Sequence, residues 1–382
     1  MLKKLLGLDA KAAGGRWTVS LGPCAAWSAR TYGAFAREGY GRNAIAHRCV
    51  RLIAEAAAAC PLRVGGEGPG AQAVRALLAR PNPDQCRAEL FETFHGHLQV
   101  AGDAYLELAG GAEGPHALYA LRPDRMRVLT GPKGWADGWE YRLGGEARVF
   151  ARDRASGRSA LLHMKLFNPL DDHYGQSPME AAARAVDVHN AGGTWAKALL
   201  DNAARPSGAL VVTGREGGDG RLSEAQYARL KDELEGLYSG PANAGRPLLL
   251  EGGLDWKPMG HSPAEMDFIE ARREAAREIA LAFGAPPMIL GLPGDNTYAN
   301  YREANLAFYR QTVLPLARKT ASALTAWLAP WLGEGFVIEP DEDALPALSE
   351  ERSARWARVN AAGFLSDDEK RALLGLDEER RP

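Results

Sequence analysis

The chain has few cysteines, no long apolar run and almost no net charge. Cys24, Cys49, Cys60 and Cys86 are its four cysteines among 382 residues, and no two form a C-x-x-C pair. That excludes a disulfide framework and the usual zinc-finger spacings, and makes a cytosolic setting the default. Cys49 and Cys60 are spaced to share a buried helical stripe with Leu52 and Ala56, so core packing is their expected role. No stretch approaches the ~20 apolar residues of a membrane span, and Met1 to Leu8 lacks the apolar run of a signal peptide. The opening therefore reads as an N-terminal arm, with no membrane partner. A net charge of −2 argues against tight retention of nucleic acid, which needs Lys and Arg to displace counterions, but it suits a protein that DNA slides past.

Signatures of catalysis are equally scarce. No G-x-x-x-x-G-K-[ST] phosphate loop is present. Gly175-Gln176-Ser177-Pro178-Met179 lacks the final glycine of a nucleophile elbow, and Ser177 is better read as a helix cap. His95 and His97 are two apart, on different faces of a helix, and cannot share a metal as an i, i+4 pair does. Asp171-Asp172-His173 is the most ligand-like cluster, and it is read as solvated loop polarity. Arg355 to Leu374 has a helix-turn-helix outline, but its second helix opens Asp367-Asp368-Glu369, which would repel DNA where a recognition helix makes its contacts. No catalytic, cofactor or metal residue is assigned. A hydrolase or other soluble enzyme with an unrecognised site, and a DNA-binding regulator using 355–374, stand as rival readings.

What the chain does have is helix architecture. Ser177-Pro178-Met179-Glu180 and Ser262-Pro263-Ala264-Glu265 each offer a cap, a proline where the missing N–H is harmless, and a glutamate able to reach back. The first helix is expected from Pro178 to Ala204 and the second from Pro263 to Phe283, about 40 and 32 Å long. The second should end on Gly284 ahead of Ala285-Pro286-Pro287. After a turn-rich loop, a third long helix is expected from Tyr301 to Leu328, kinked at Pro315.

Around these helices the pattern is mixed. Residues 1–40 are weakly patterned. A helix is expected from Asn43 to Pro61, with Ile45, Cys49, Leu52 and Ala56 on one face; a strand at Leu62 to Val64; and helices at Ala73 to Ala79 and Leu90 to Ala101. Short strands follow at 105–108, 117–121, 126–129, 139–143 and 161–167, as in a small antiparallel sheet. Arg205 to His261 repeats the mixture in miniature, with strands at 209–212, 247–250 and 254–258 and a helix at 223–238. A strand at 336–338, an acidic linker at 341–343 and two short helices parted at Gly363 complete an α+β chain.

On the second long helix Glu270, Glu274 and Glu278 lie on one line and Arg273 and Arg277 on the next. They are read either as a solvated face with i, i+3 pairing or as a subunit interface in which one copy's acidic line meets its neighbour's basic line. In the second case Glu274→Lys weakens assembly.

The order of these stretches resembles the portal proteins of tailed bacteriophages and related gene-transfer-agent particles, over Tyr40 to Leu376. The resemblance is carried by Asn43 to Pro61, Tyr174 to Ala182, Ala204 to Gly208, Gly245 to Gly253, Ile279 to Pro287 and Ala361 to Glu369. It implies a phage portal fold: arm 1–39, α+β wing 40–177, stem helices 178–204 and 262–283, a small α/β clip 205–261, a tunnel loop 284–300, a kinked wing helix and return strand 301–344, and a short helical crown 345–382. It further implies a homo-oligomeric ring, usually a dodecamer, at one capsid vertex of the virion, assembled in the bacterial host cytoplasm, through which double-stranded DNA is packaged and ejected. The implied partners are the major capsid protein, the terminase large subunit at the clip, the head-tail adaptor, and DNA held non-specifically and transiently. Asp295, Asn296, Thr297, Tyr298 and Asn300 would face the channel. The stretch Ala285 to Asn300 contains no Lys or Arg, so little counterion release would hold the DNA. Arg302 lies just beyond, within reach of phosphate or of Glu303 or a neighbour's Glu265.

Overall fold

The computed structural model describes residues 27–111, 114–201, 208–212, 223–238, 254–258, 268–294 and 298–374. The expected caps at Ser262 and Glu265, the strand at 247–250 and the residues Asp295 to Thr297 lie outside them.

The chain enters through α1 (Tyr32–Ala34), which runs directly into a π turn (Phe35–Gly41). These residues had no legible pattern, yet Phe35 is buried in the main core. Helix α2 (Ala44–Ala59) is capped by Asn43, whose side chain accepts the Ile45 and Ala46 amides at 3.1 and 3.0 Å. Its buried face is Ala46, Cys49, Val50, Ile53 and Ala57, with Leu52 and Ala56 only half-buried. The expected stripe is thus rotated, because alanines at 46, 54, 57 and 58 let neighbouring helices approach on a side that their small size disguised. Burial pushes the Cys49 thiol up to about 12 and the Cys60 thiol up to about 11, which leaves both inert as nucleophiles.

Strand β1 (Leu62–Gly65), α3 (Pro69–Ala79) and α4 (Arg87–Ala101) follow, α4 ending on Gly102 with φ of +80°. Next come β2 (Asp103–Gly111), β3 (Gly114–Leu121), β4 (Met126–Thr130), β5 (Ala136–Leu143), β6 (Glu146–Ala151) and β7 (Leu161–Lys165). They form two antiparallel three-stranded sheets, β3-β2-β7 and β4-β5-β6, rather than one. Strand β6 escaped the sequence reading because Phe150 is its one buried residue.

Helix α5 (Pro178–Asp201) is capped by Ser177, whose hydroxyl accepts the Glu180 amide at 2.9 Å. Strand β8 (Gly208–Val212), α6 (Glu224–Tyr238) and β9 (Leu254–Pro258) form the insert, β8 pairing antiparallel with β9. Helix α7 (Phe268–Ala282) packs along α5.

The third long helix departs from expectation at both ends. It begins as α8 (Tyr298–Phe308), so Tyr298 and Asn300 belong to a helix and not to the preceding loop. Through a π turn (Tyr309–Val313) it continues as α9 (Leu314–Leu332), crossing Pro330. The extra turn is held because the Trp327 and Trp331 indoles both donate to the Ser159 carbonyl, at 2.8 and 3.3 Å. At Pro315 the helix widens: the Leu314 amide bonds to Tyr309, five residues back, which makes room for the proline ring.

Strand β10 (Val337–Pro340) pairs antiparallel with β1, and α10 (Ser349–Ala361) and α11 (Asp367–Leu374) close the described chain. A capping box opens α11, with the Ser366 amide donating to Glu369 at 2.7 Å and the Glu369 amide donating to the Ser366 hydroxyl at 3.3 Å. One large core joins α2, α3, α4, the β2 sheet, the inner halves of α5 and α7, and α9; a smaller one lies under β4-β5-β6 around Tyr105, Trp139 and Phe150.

Candidate functional site

Among the described residues no group of three or more His, Cys, Asp and Glu side chains could hold a metal ion. Asp171 instead accepts the amides of His173 and Tyr174 at 2.7 and 3.0 Å, closing a turn. Ser177 is buried and committed to its cap. The functional interest lies in α5, α7 and the segment that leaves α7.

Small side chains explain why α5 and α7 lie side by side. Met179, Ala182, Ala183 and Val186 share one buried core with Ala275, Ile279 and Phe283 at the inner end, where the two helices pack together. Alanine on both faces permits close axial approach and a continuous apolar seam. Toward the outer end burial stops: residues 269–274 and 197–198 are exposed.

The charged lines on α7 are paired within the chain. Arg273 bonds Glu270 at 2.5 Å and Arg277 bonds Glu274 at 2.7 Å, all four side chains being exposed. Arg277 also donates to the Pro293 carbonyl at 3.2 Å, tying the helix to the loop that follows it. Glu278 is exposed and makes no ion pair among the described residues. Such surface pairs contribute little in water, typically under about 1 kcal/mol.

Sequence reasoning missed two exposed apolar residues of the same helix. Ile269 is 69 % and Leu281 80 % exposed. Scattered among charges they resembled noise in an amphipathic pattern; only the packed structure tells which face is covered.

The exit from α7 is a glycine cap. Gly284 has φ of +64°, its amide bonds to Leu281, and the Ala285 amide bonds to Ala280, the paired arrangement that ends a helix in a left-handed residue. The Thr312 hydroxyl donates to the Gly284 carbonyl at 2.7 Å, so the π turn clamps the start of the loop. Turns at Pro286 to Leu292 follow. Beyond the loop Arg302 pairs with Glu350 at 3.2 Å and Arg310 with Glu351. Arg302 is therefore matched by an acid of its own chain, not by Glu303.

The loop between α7 and α8 has no Lys or Arg of its own, so it offers a polyanion little counterion release. Projecting helices with unmatched apolar residues can pack against further copies.

Comparisons with known proteins converge on one family. The family described as "Phage portal protein" matches residues 44–375. An uncharacterized protein of Rickettsia felis is 40 % identical over 89 % of this chain and 88 % of its own length. The portal protein of Escherichia phage T5 is 24 % identical over 89 % of this chain and 82 % of its own. Among solved structures, the neck of a native gene transfer agent particle, computed with C12 symmetry, is 52 % identical with a TM-score of 0.71, covering 92 % of this chain and 94 % of that one.

Proposed function

The chain belongs to the phage portal protein family, and from that membership we propose how its parts divide the work. It is a portal protein: copies of it form a homo-oligomeric ring in the virion, enclosing the channel through which DNA passes. The observation that carries this reading is the 52 % identity, across nearly the whole chain, to a subunit of a neck with C12 symmetry. Twelve copies in a gene-transfer-agent type of particle is the arrangement that this likeness supports.

Within the ring, α5 and α7 are the stem, the β8, α6 and β9 insert is the clip, residues 284–297 are the tunnel loop, and α10 with α11 is the crown. The clip would meet the terminase large subunit during packaging and the head-tail adaptor afterwards, and the α+β body would meet the major capsid protein. Assembly would take place in the host cytoplasm. In the stem, Ile269 and Leu281 would be covered by the neighbouring copy, which accounts for two large apolar side chains left in water on a single copy. The charges Glu270, Arg273, Glu274, Arg277 and Glu278 would border that contact. Asp295, Asn296 and Thr297 would face DNA; Tyr298 and Asn300, at the head of α8, would stand at the rim of the loop. The chain has no catalytic part in packaging: chemical energy comes from the motor.

Two measurements test this. Negative-stain images of the full-length protein under capsid-assembly conditions should show rings with an axial hole. Asn296→Lys with Asn300→Lys should leave rings intact while particles contain less DNA, since two added cations per copy would raise friction on the duplex. Normal DNA content in those particles would remove the loop from the channel wall.

A further inference from the structure

A cleft in the α+β body is unclaimed by the channel. It has a volume of ≈ 840 Å³ and lies between the β4-β5-β6 sheet and the segment that runs from β7 toward α5. Such a volume suits a small ligand or a few side chains of a partner.

Two of its cations are left without an acid among the described residues. Lys133, Arg152, Arg154, Lys165 and His173 line it, with Asp172 as the acid among them. Arg154 is neutralised by Asp137 at 2.6 Å. Lys165 donates to the Asp172 carbonyl and its charge also acts on the neighbouring Asp171 carboxylate. Lys133 and Arg152 make no ion pair among the described residues and are exposed. Just behind, the Lys319 ammonium donates to the Lys165 carbonyl at 2.5 Å and is held below the usual lysine range by burial and by Lys165. Lys133 and Arg152 therefore stand as the exposed cations of the cleft that no acid pairs among the described residues, in a chain whose net charge is negative.

Large apolar groups are exposed in the cleft and on the segment that joins two of its lining residues. Trp135, which lines the cleft, is 68 % exposed, and the segment joining Lys165 to Asp172 carries Phe167 at 83 % and Leu170 at 92 % exposure. An exposed tryptophan beside two unpaired cations, with further bare apolar side chains on the adjoining segment, has the make-up of an interaction surface, where aromatic and arginine side chains supply most of the binding energy.

We propose that this cleft is a docking site for an acidic peptide segment of another protein of the particle, its carboxylates meeting Lys133 and Arg152 and an apolar anchor packing on Trp135. Duplex DNA fits less well: its contacts are made to phosphates and base edges, so Trp135, Phe167 and Leu170 would gain nothing. A single strand could stack on Trp135, but it offers nothing to Leu170.

The test uses the full-length protein and labelled decapeptides built from Glu and Leu, beside an all-Glu decapeptide, a 20-base-pair duplex and a 20-base single strand, with binding read by fluorescence anisotropy. The Glu/Leu peptide should bind most tightly and weaken as salt is raised. Lys133→Glu with Arg152→Glu should weaken it about tenfold or more and Trp135→Ala several-fold, with melting temperatures unchanged because all three side chains are exposed. Should the double reversal fail to fold, Lys133→Gln with Arg152→Gln gives the same reading with a smaller loss. Absence of peptide binding, or binding that these substitutions leave alone, overturns the proposal. Tighter binding of either nucleic acid, lost in the same variants, overturns it in favour of a nucleic-acid site.

Discussion

His163 and Asp103 are joined by a 2.7 Å hydrogen bond between neighbouring strands, with both side chains almost fully buried. The direction of the proton is fixed from outside. The Trp139 indole can only donate, and it donates to His163 Nδ1 at 3.2 Å, so the imidazole carries its hydrogen on Nε2 and donates that to Asp103. Asp103 also accepts the Gly175 amide at 2.9 Å. One carboxylate thus holds β7, β5 and the segment leading into α5.

Replacing Asp103 by Ala should strand two buried donors, His163 Nε2–H and Gly175 N–H. The expected loss is about 3 kcal/mol. Thermal unfolding of the purified variant measures it; a melting temperature equal to that of the natural protein would show that water replaces the carboxylate without penalty.

Acid should weaken the fold through two histidines. Burial pushes His95 down to about 3, and burial followed by the charge of Arg122 pushes His97 down to about 4. Both are neutral when folded, whereas the unfolded chain takes up protons below about pH 6.5. Stability contributed by each is therefore full above pH 6.5 and declines as pH falls toward 4 for His97 and 3 for His95, by up to about 1.4 kcal/mol per unit each. His95→Leu removes one of the two, together with an Nδ1 that has no hydrogen-bond partner. Between pH 7 and 5 this variant should lose about 2 kcal/mol less than the natural protein, measured by urea unfolding at each pH. An identical pH slope would show that His95 does not titrate with unfolding.

Gly284→Ala should destabilise the α7 exit by about 1–2 kcal/mol, because φ is +64° and a Cβ would stand 3.0 Å from the Thr312 hydroxyl. Hydrogen exchange should rise at Gly284 and Ala285 and remain unchanged in α2. Uniform exchange across the chain would contradict a local cap.

The stem offers a contrast between apolar and charged surfaces. Ile269→Asp with Leu281→Asp should abolish rings in negative stain, whereas Glu274→Lys should cost little, since Arg277 loses one exposed partner and keeps the Pro293 carbonyl. Loss of rings with Glu274→Lys and not with the double variant would make the alternating acidic and basic lines the interface.

The parts legible from sequence were those whose cause is local. Ser177, Asn43 and Gly284 act within one turn, so helix ends could be read from neighbouring letters. Strand β6 and the π turn at 35–41 were not legible, the first because a mostly exposed edge strand needs no alternation, the second because its period differs from 3.6. In the candidate site the pairs Glu270 with Arg273 and Glu274 with Arg277 followed from spacing. The bond between residues 103 and 163, the Thr312 clamp on Gly284 and the bareness of Leu281 did not, because each depends on what tertiary packing brings near or leaves uncovered.

The widened turn at 309–313 means that the helix from 298 to 332 is keyed like two shafts joined off-index. One added residue advances the angular position of everything upstream by about 100° relative to α9. The faces of α8 and α9 are therefore set independently: α9 can present Leu324 and Leu328 to the core while α8 turns Arg302 toward Glu350. Pro315, which in an unbroken α-helix would be a defect, here sits just past the joint and holds that index.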